Sequence, residues 1–203
     1  MLNNFLKALI IRNNADWSKN FVHCNGKVLF ILPMAGNNYV QYVLKSNNVQ
    51  FLQKKPVQGT RIDYFLYRPD YSRFKSAFIK KVLNPDSVKK KLLLIKAGLP
   101  RDISFDEYLE GFKMHGKSRY GGDKHFMMVN EVLEDVLGNY QINEMINTRD
   151  GFGFLNEIYG VKKIPSKRVK SSVDFPIRLN LTENENRLLE NWFYSTYPRA
   201  LRS

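Results

Sequence analysis

Residues 27–46, KVLFILPMAGNNYVQYVLKS, constrain the fold more than any other stretch. KVLFIL is a continuous apolar run with β-branched and aromatic members. It does not alternate, so it reads as a strand buried on both faces, and Pro33 ends it. The tight turn MAGNN follows, and YVQYVLKS then reads as a helix, with Asn37 or Asn38 placed to cap its first N–H groups. A buried strand, a Gly-containing turn and a helix in that order are one unit of an α/β sheet.

The rest of the chain repeats the theme. RIDYFLY (61–67) is a second strand. Helical spacing then puts Tyr71, Phe74, Ala77, Phe78 and Val82 on one face. NPD at 84–86 breaks that helix, with Asp86 able to cap the next. Ser104 and Glu107 form a capping-box pattern, as do Thr182 and Glu185 ahead of the last helix. GKSRYGGDKHF (116–126) is a polar, Gly-rich loop, and FMMVNEVLEDVL returns to helix. YQINEMI is read as a third strand, DGFGFLNEIYG as a helix ended by Gly160, and VKKIPSKRVKSS as a basic loop. No repeat or low-complexity linker interrupts the chain. The expected fold is α/β: one domain over 1–203, with a P-loop-like central parallel sheet flanked and covered on both faces by helices. Residues 1–26 are read as an N-terminal extension that opens with a docking helix.

Charge and cysteine content narrow the function. The net charge of +13 selects anionic partners: nucleic acid, phosphorylated metabolites, acidic glycans or an anionic membrane surface. The run Lys89-Lys90-Lys91 is read as the solvated face of a helix. Cys24 is the single cysteine, which excludes an internal disulfide and a multi-cysteine zinc site and fits a reducing compartment. No stretch has the apolar length of a membrane span, and no signal-peptide cleavage site is evident.

Two strand-to-helix junctions carry the candidate chemistry. At Pro33, Met34, Ala35, Gly36, Asn37 and Asn38, backbone N–H groups meet the positive end of a helix dipole, an arrangement that binds phosphate. At the second junction Arg68 closes a strand, where ligands collect in open parallel sheets, and Ser76 lies eight residues on in the following helix. An arginine fork and a hydroxyl converging there suit a phosphate; a surface arginine and an ordinary helix serine are the alternative.

The stretch R-P-D-Y-S-R-F-K-S-A-F at 68–78 resembles the 3′-phosphate motif of carbohydrate sulfotransferases that use 3′-phosphoadenosine 5′-phosphosulfate (PAPS), approximately R-D-P-Y-x-R-x-x-S-A-[FY], with Pro69 and Asp70 inverted. FDEYLEGF, DKHF, NTRDGFGFLNEIYGV and LTENENRLLENWFYSTY resemble later segments of that family in the same order, so the likeness covers about residues 27–197. It implies that Arg68 and Ser76 hold the 3′-phosphate, and Arg73 matches the motif's second arginine. It also implies that PAPS is the co-substrate, that no metal is needed, and that the acceptor is a saccharide hydroxyl. One departure stands out. The family's first motif is roughly P-K-x-G-[CGS]-[ST], and Met34 occupies the lysine position, with Asn37 and Asn38 after the glycine. The backbone cradle remains, and Lys45 or a loop lysine is a candidate replacement for the missing cation.

Sulfuryl transfer needs a base for the acceptor proton. Of the three histidines, His125 matches the family's D-x-H; a structural histidine bonded to its own loop is the alternative, and His23 and His115 have weaker contexts. Lys167, Arg168 and Lys170 of the basic loop are candidates for holding the nucleotide or an acidic glycan. Two further readings compete: a sulfotransferase fold that binds nucleotide or glycan without turnover because of Met34, and a basic nucleic-acid-binding protein, against which stands the absence of a recognised module. The expected setting is the cytoplasm of a microbe or its virus.

Overall fold

The computed structural model describes residues 16–83, 103–110, 124–164, 179–198, 200 and 201. Expectations for the N-terminal docking helix, the NPD break, the 89–91 lysines, His115 and residues 165–172 of the basic loop lie outside these residues. The chain forms two compact units. Among the described residues, one takes in 16–69 and 129–164, the other 70–83, 103–110, 124–128, 179–198, 200 and 201.

The first unit is built on a four-stranded sheet in the order β1 (Phe21–Cys24), β2 (Lys27–Ile31), β3 (Arg61–Tyr67), β4 (Gln141–Asn147). The three expected strands are present and parallel: β2 pairs with β3 from Leu29↔Tyr64 to Ile31↔Leu66, and β3 pairs with β4 from Arg61↔Gln141 to Tyr67↔Asn147. β1 departs from the expectation of a wholly parallel sheet. It pairs antiparallel with β2, Phe21 opposite Phe30 and Cys24 opposite Lys27, so residues 21–24 belong to the sheet and are no mere extension. The turn between them is Asn25-Gly26, with φ of 49° and 74°. Positive φ at both central residues is what a two-residue type I′ hairpin requires, and Asn-Gly is its favoured pair.

The apolar run behaves as its pattern demands. Val28, Leu29, Phe30, Ile31 and Leu32 are all buried. The Phe30 ring lies edge-on to Phe21 at 4.9 Å and parallel to Phe65 at 5.5 Å, so the central strands share one aromatic stack. β4 is different. Gln141, Asn143, Glu144 and Met145 are exposed, so helices do not cover this strand on both faces. Its polar side chains are tolerable only at a sheet edge. α1 (Asn37–Ser46) follows β2 and buries Tyr39, Val40, Val43 and Leu44.

The second unit centres on α2 (Asp70–Phe78), which continues into a π-helical turn, Ile79–Leu83. The expected apolar face is present: Tyr71, Phe74, Ala77, Phe78 and Val82 are buried. So are Asp70, Ser72, Arg73 and Ser76. Apart from the half-buried Lys75 the helix is therefore enclosed, yet it carries charge. Asp70 and Arg73 neutralise each other at 2.9 Å, both side chains fully buried. Breaking one partner of such a pair typically costs about 3–5 kcal/mol, because the other charge is left in low dielectric. Around α2 stand Phe105 and Tyr108 of α3 (residues 105–110) and Phe193 of α6 (Glu183–Thr196), whose rings approach Tyr71, Phe74 and Phe78 at 4.9–6.0 Å. Among the described residues the remaining α-helices are α4 (Val129–Asp135) and α5 (Phe154–Tyr159) of the sheet unit, and α6 belongs to the second. Among the described residues no helix is long and apolar enough to cross a membrane.

Both expected capping boxes form. Thr182 Oγ1 accepts from the Glu185 N–H, and the Glu185 carboxylate accepts from the Thr182 N–H and hydroxyl. These bonds, the hydroxyl's first, hold the Glu185 carboxyl below its ordinary value of 4.5. A depressed folded pKa gives stability that is present above the unfolded pKa and lost as pH falls through the folded one. Amide protection in the first turn of α6 is therefore expected to decline as pH drops below 4.5. Glu185→Gln should lose protection at neutral pH and show a flatter acid response; an unchanged profile would deny the box that role.

Candidate functional site at the carboxyl edge of the sheet

The loop after β2 is built around a turn. Leu32 donates its N–H to Leu66 O at 2.9 Å, tying the loop's start to β3, and the Ala35 N–H closes back on Leu32 O at 2.9 Å. Pro33 and Met34 are then the central residues. Met34 has φ 67°, the positive value that position i+2 of a type II turn demands. Glycine or asparagine normally meets that demand. Among the described residues the other two non-glycine residues with positive φ are Asn25 and Asn48, so Met34 is the one there held against its preference.

Gly36 follows with φ 94° and is itself the N-cap of α1. The expected cap at Asn37 or Asn38 is thus displaced by one residue: both asparagines lie inside the helix. The Asn37 side chain is committed elsewhere, its amide donating to Lys19 O at 3.1 Å and its oxygen accepting from Gln41 at 2.8 Å. No side chain caps α1. Among the described residues, the N–H groups of Gly36, Asn37 and Asn38 find no hydrogen-bond acceptor, and the exposed side chain of Asn38 stands beside them. Donors left open at the positive end of a helix dipole suit an anion.

Arg68 is half-buried and lies one residue past β3. β2 and β3 are adjacent and parallel, so Arg68 and the 33–38 turn open from the same edge of the sheet. The third loop on that edge went unrecognised. After β4, Asn147 Oδ1 accepts from the Arg149 N–H at 3.0 Å and starts the turn Thr148–Asp150. Gly151, at φ 94° and ψ −167°, then redirects the chain. The helix expected over DGFGFLNEIYG consequently begins only at Phe154, though it ends at Gly160 as expected, with φ 64°. Phe152 reaches the first loop: its ring sits 4.6 Å from Tyr39, and a Cβ on Gly36 would lie 2.8 Å from it. The Gly-x-Gly spacing around Phe152 is the signal that this segment is a turn with a half-buried aromatic at its tip. It also brings Arg149 to the carboxyl edge, a cation the sequence reading passed over.

Gly36 is thus needed for its backbone and for the space above it. Gly36→Ala is expected to cost about 1–3 kcal/mol from the left-handed conformation and the Phe152 contact together. Chemical denaturation measures it, and a neutral substitution would mean that the loop adapts freely.

The other sequence candidates fall elsewhere. The 68–78 motif straddles the two units: Arg68 ends the sheet unit, and Arg73 and Ser76 belong to the second. Arg73 does not present itself as an anion ligand. Its side chain is fully buried, and the guanidinium bonds Asp70 and the carbonyls of His125 and Met127. Ser76 is 7% exposed on the same helix. His125 lies half-buried in a short 3-10 turn, Lys124–Phe126. His23 bonds Lys54 O through Nε2 at 2.7 Å and is structural. Lys45 sits in the last turn of α1, with its ammonium 6.0 Å from the Phe51 ring centroid. Eight residues of helix separate it from Asn37, about 12 Å along the axis. It is therefore no replacement for the lysine expected at position 34. Burial raises the Cys24 thiol pKa, which suits a core residue. Lys167, Arg168 and Lys170 lie outside the described residues. No family model, no curated protein and no solved structure matches this chain.

Proposed function

We propose that this protein binds 3′-phosphoadenosine 5′-phosphosulfate and transfers its sulfuryl group to a saccharide hydroxyl. The observation that carries the reading is the uncapped start of α1 after β2, with Arg68 following the adjacent parallel strand β3 on the same edge of the sheet. Its N–H groups suit the 5′-phosphosulfate. Arg68 suits the 3′-phosphate, in line with the motif resemblance at 68–78. In the reaction the acceptor oxygen bonds to sulfur and the bond from sulfur to the bridging phosphate oxygen breaks. The acceptor proton goes to a base, the role given to His125 by its likeness to D-x-H. Adenosine 3′,5′-bisphosphate leaves. Charge grows on the bridging oxygen, and donors already in place there lower the barrier.

A second reading has its own observation. Met34 stands where a cation is wanted, and Lys45 sits at the far end of α1. A nucleotide-binding relative with little or no turnover fits both facts. Incubation with PAPS carrying labelled sulfate and a pool of unsulfated oligosaccharides separates the two. Labelled saccharide supports transfer. Tight adenosine 3′,5′-bisphosphate binding with no labelled product supports the binding-only reading. Neither binding nor transfer rejects both.

A further inference from the structure

We propose that Arg73, Asp70 and Leu201 form a buried latch that fixes the turn carrying His125, which makes Arg73 a positioning residue and not a nucleotide ligand. The proposal deepens the reading above and rests on it for the role of His125. Arg73 donates through one terminal nitrogen to His125 O at 3.4 Å and through the other to Met127 O and to Asp70 Oδ1, the last at 2.9 Å. One planar fork therefore grips two carbonyls, at the middle of the 3-10 turn and just past its end. A guanidinium does this because its donors are fixed in a plane; a lysine ammonium offers a single point.

Asp70 holds the arginine in turn, and the chain near its last residues holds Asp70. The Leu201 N–H donates to Asp70 Oδ2 at 2.9 Å, and the Asp70 N–H donates to Leu201 O at 3.1 Å. The Tyr194 hydroxyl, from α6, donates to the same Leu201 carbonyl at 3.2 Å. Both carboxylate oxygens of Asp70 are thus engaged, one on each side of the latch. The contacts run from α6 through residue 201 and the first turn of α2 to His125. In such a closed, water-poor network each bond restrains the next.

Arg73→Lys tests this in the full chain. It keeps the charge opposite Asp70 but cannot span both carbonyls. The imidazole resonances of His125, read by NMR, should shift and broaden. Turnover with labelled PAPS and the oligosaccharide pool should fall about 10–100-fold, the scale of a misplaced reacting group, while affinity for adenosine 3′,5′-bisphosphate holds. A folded variant with unchanged His125 resonances and unchanged turnover overturns the latch. A proportionate loss of nucleotide affinity overturns it in favour of direct ligation. Should Arg73→Lys fail to fold, the chain ended at Ala200 removes Leu201 together with Arg202 and Ser203. The same His125 shift is then expected, and its absence overturns the proposal. Shifted resonances in a protein whose parent form moves no sulfate leave the latch standing and sink the sulfotransferase reading.

Discussion

Replacing His125 by alanine is expected to lower sulfate transfer about 10²–10⁴-fold, the usual worth of a general base. Affinity for adenosine 3′,5′-bisphosphate should be unchanged, because the binding part of the account rests on the sheet unit and His125 belongs to the other. The geometry explains why the backbone there should tolerate the change. His125 is gripped through its carbonyl, which alanine keeps, and it sits in a short turn whose neighbours Met127 and Met128 are buried. Lost turnover would therefore report the imidazole and not a collapsed loop. Near-normal transfer by a folded His125→Ala would end its role as base.

Met34→Lys is expected to act in the opposite direction. Met34 holds φ 67°, and lysine meets the same steric demand there, so the backbone cost is common to both forms. The side chains have similar length, and position 34 is half-buried, not sealed in the core. A single donor in a preorganised site is typically worth about 10²–10³ in rate. Restoring one beside the open N–H groups of α1 should therefore raise transfer by up to about 10²-fold, or tighten PAPS binding, measured with labelled sulfate for both forms side by side. A fast natural protein made slower by Met34→Lys would show that another cation already does this work.

The strands and helices were legible wherever burial imposes a pattern. KVLFIL reads as a strand because two buried faces leave no room for polar alternation, RIDYFLY is the second strand although Arg61 is exposed and Asp63 half-buried, and both boundaries agree within a residue. β1 was missed although FVHCNGKVLF contains the Asn-Gly pair that closes it; the apolar run after the turn drew the attention due to the turn itself. The cap of α1 went to Gly36 because the left-handed turn delivers the chain one residue early, a consequence of Pro33 and Met34 that side-chain capping preferences do not register. Phe152 was hidden for a similar reason: two glycines replaced the helix start with a turn.

Arg73 shows the deeper limit. Its spacing from Arg68 was visible, but spacing does not say which way a guanidinium points. Asp70, three residues before it on the helix, is the partner that settles the matter. An arginine with an i−3 carboxylate in an otherwise aromatic helix is as much a signal of internal pairing as of ligand binding. Arg68 lies in the short segment between β3 and α2, and the proposed site depends on it most.

Calorimetry on Arg68→Ala therefore tests the central claim most directly, with adenosine 3′,5′-bisphosphate and adenosine 5′-phosphate as the two ligands. Loss of a charge-assisted bond to phosphate is worth roughly 1.5–3 kcal/mol, so affinity for the bisphosphate should fall about tenfold or more. Affinity for adenosine 5′-phosphate should hardly change. Equal losses for the two nucleotides, or no binding of the bisphosphate by the natural protein, would contradict the account.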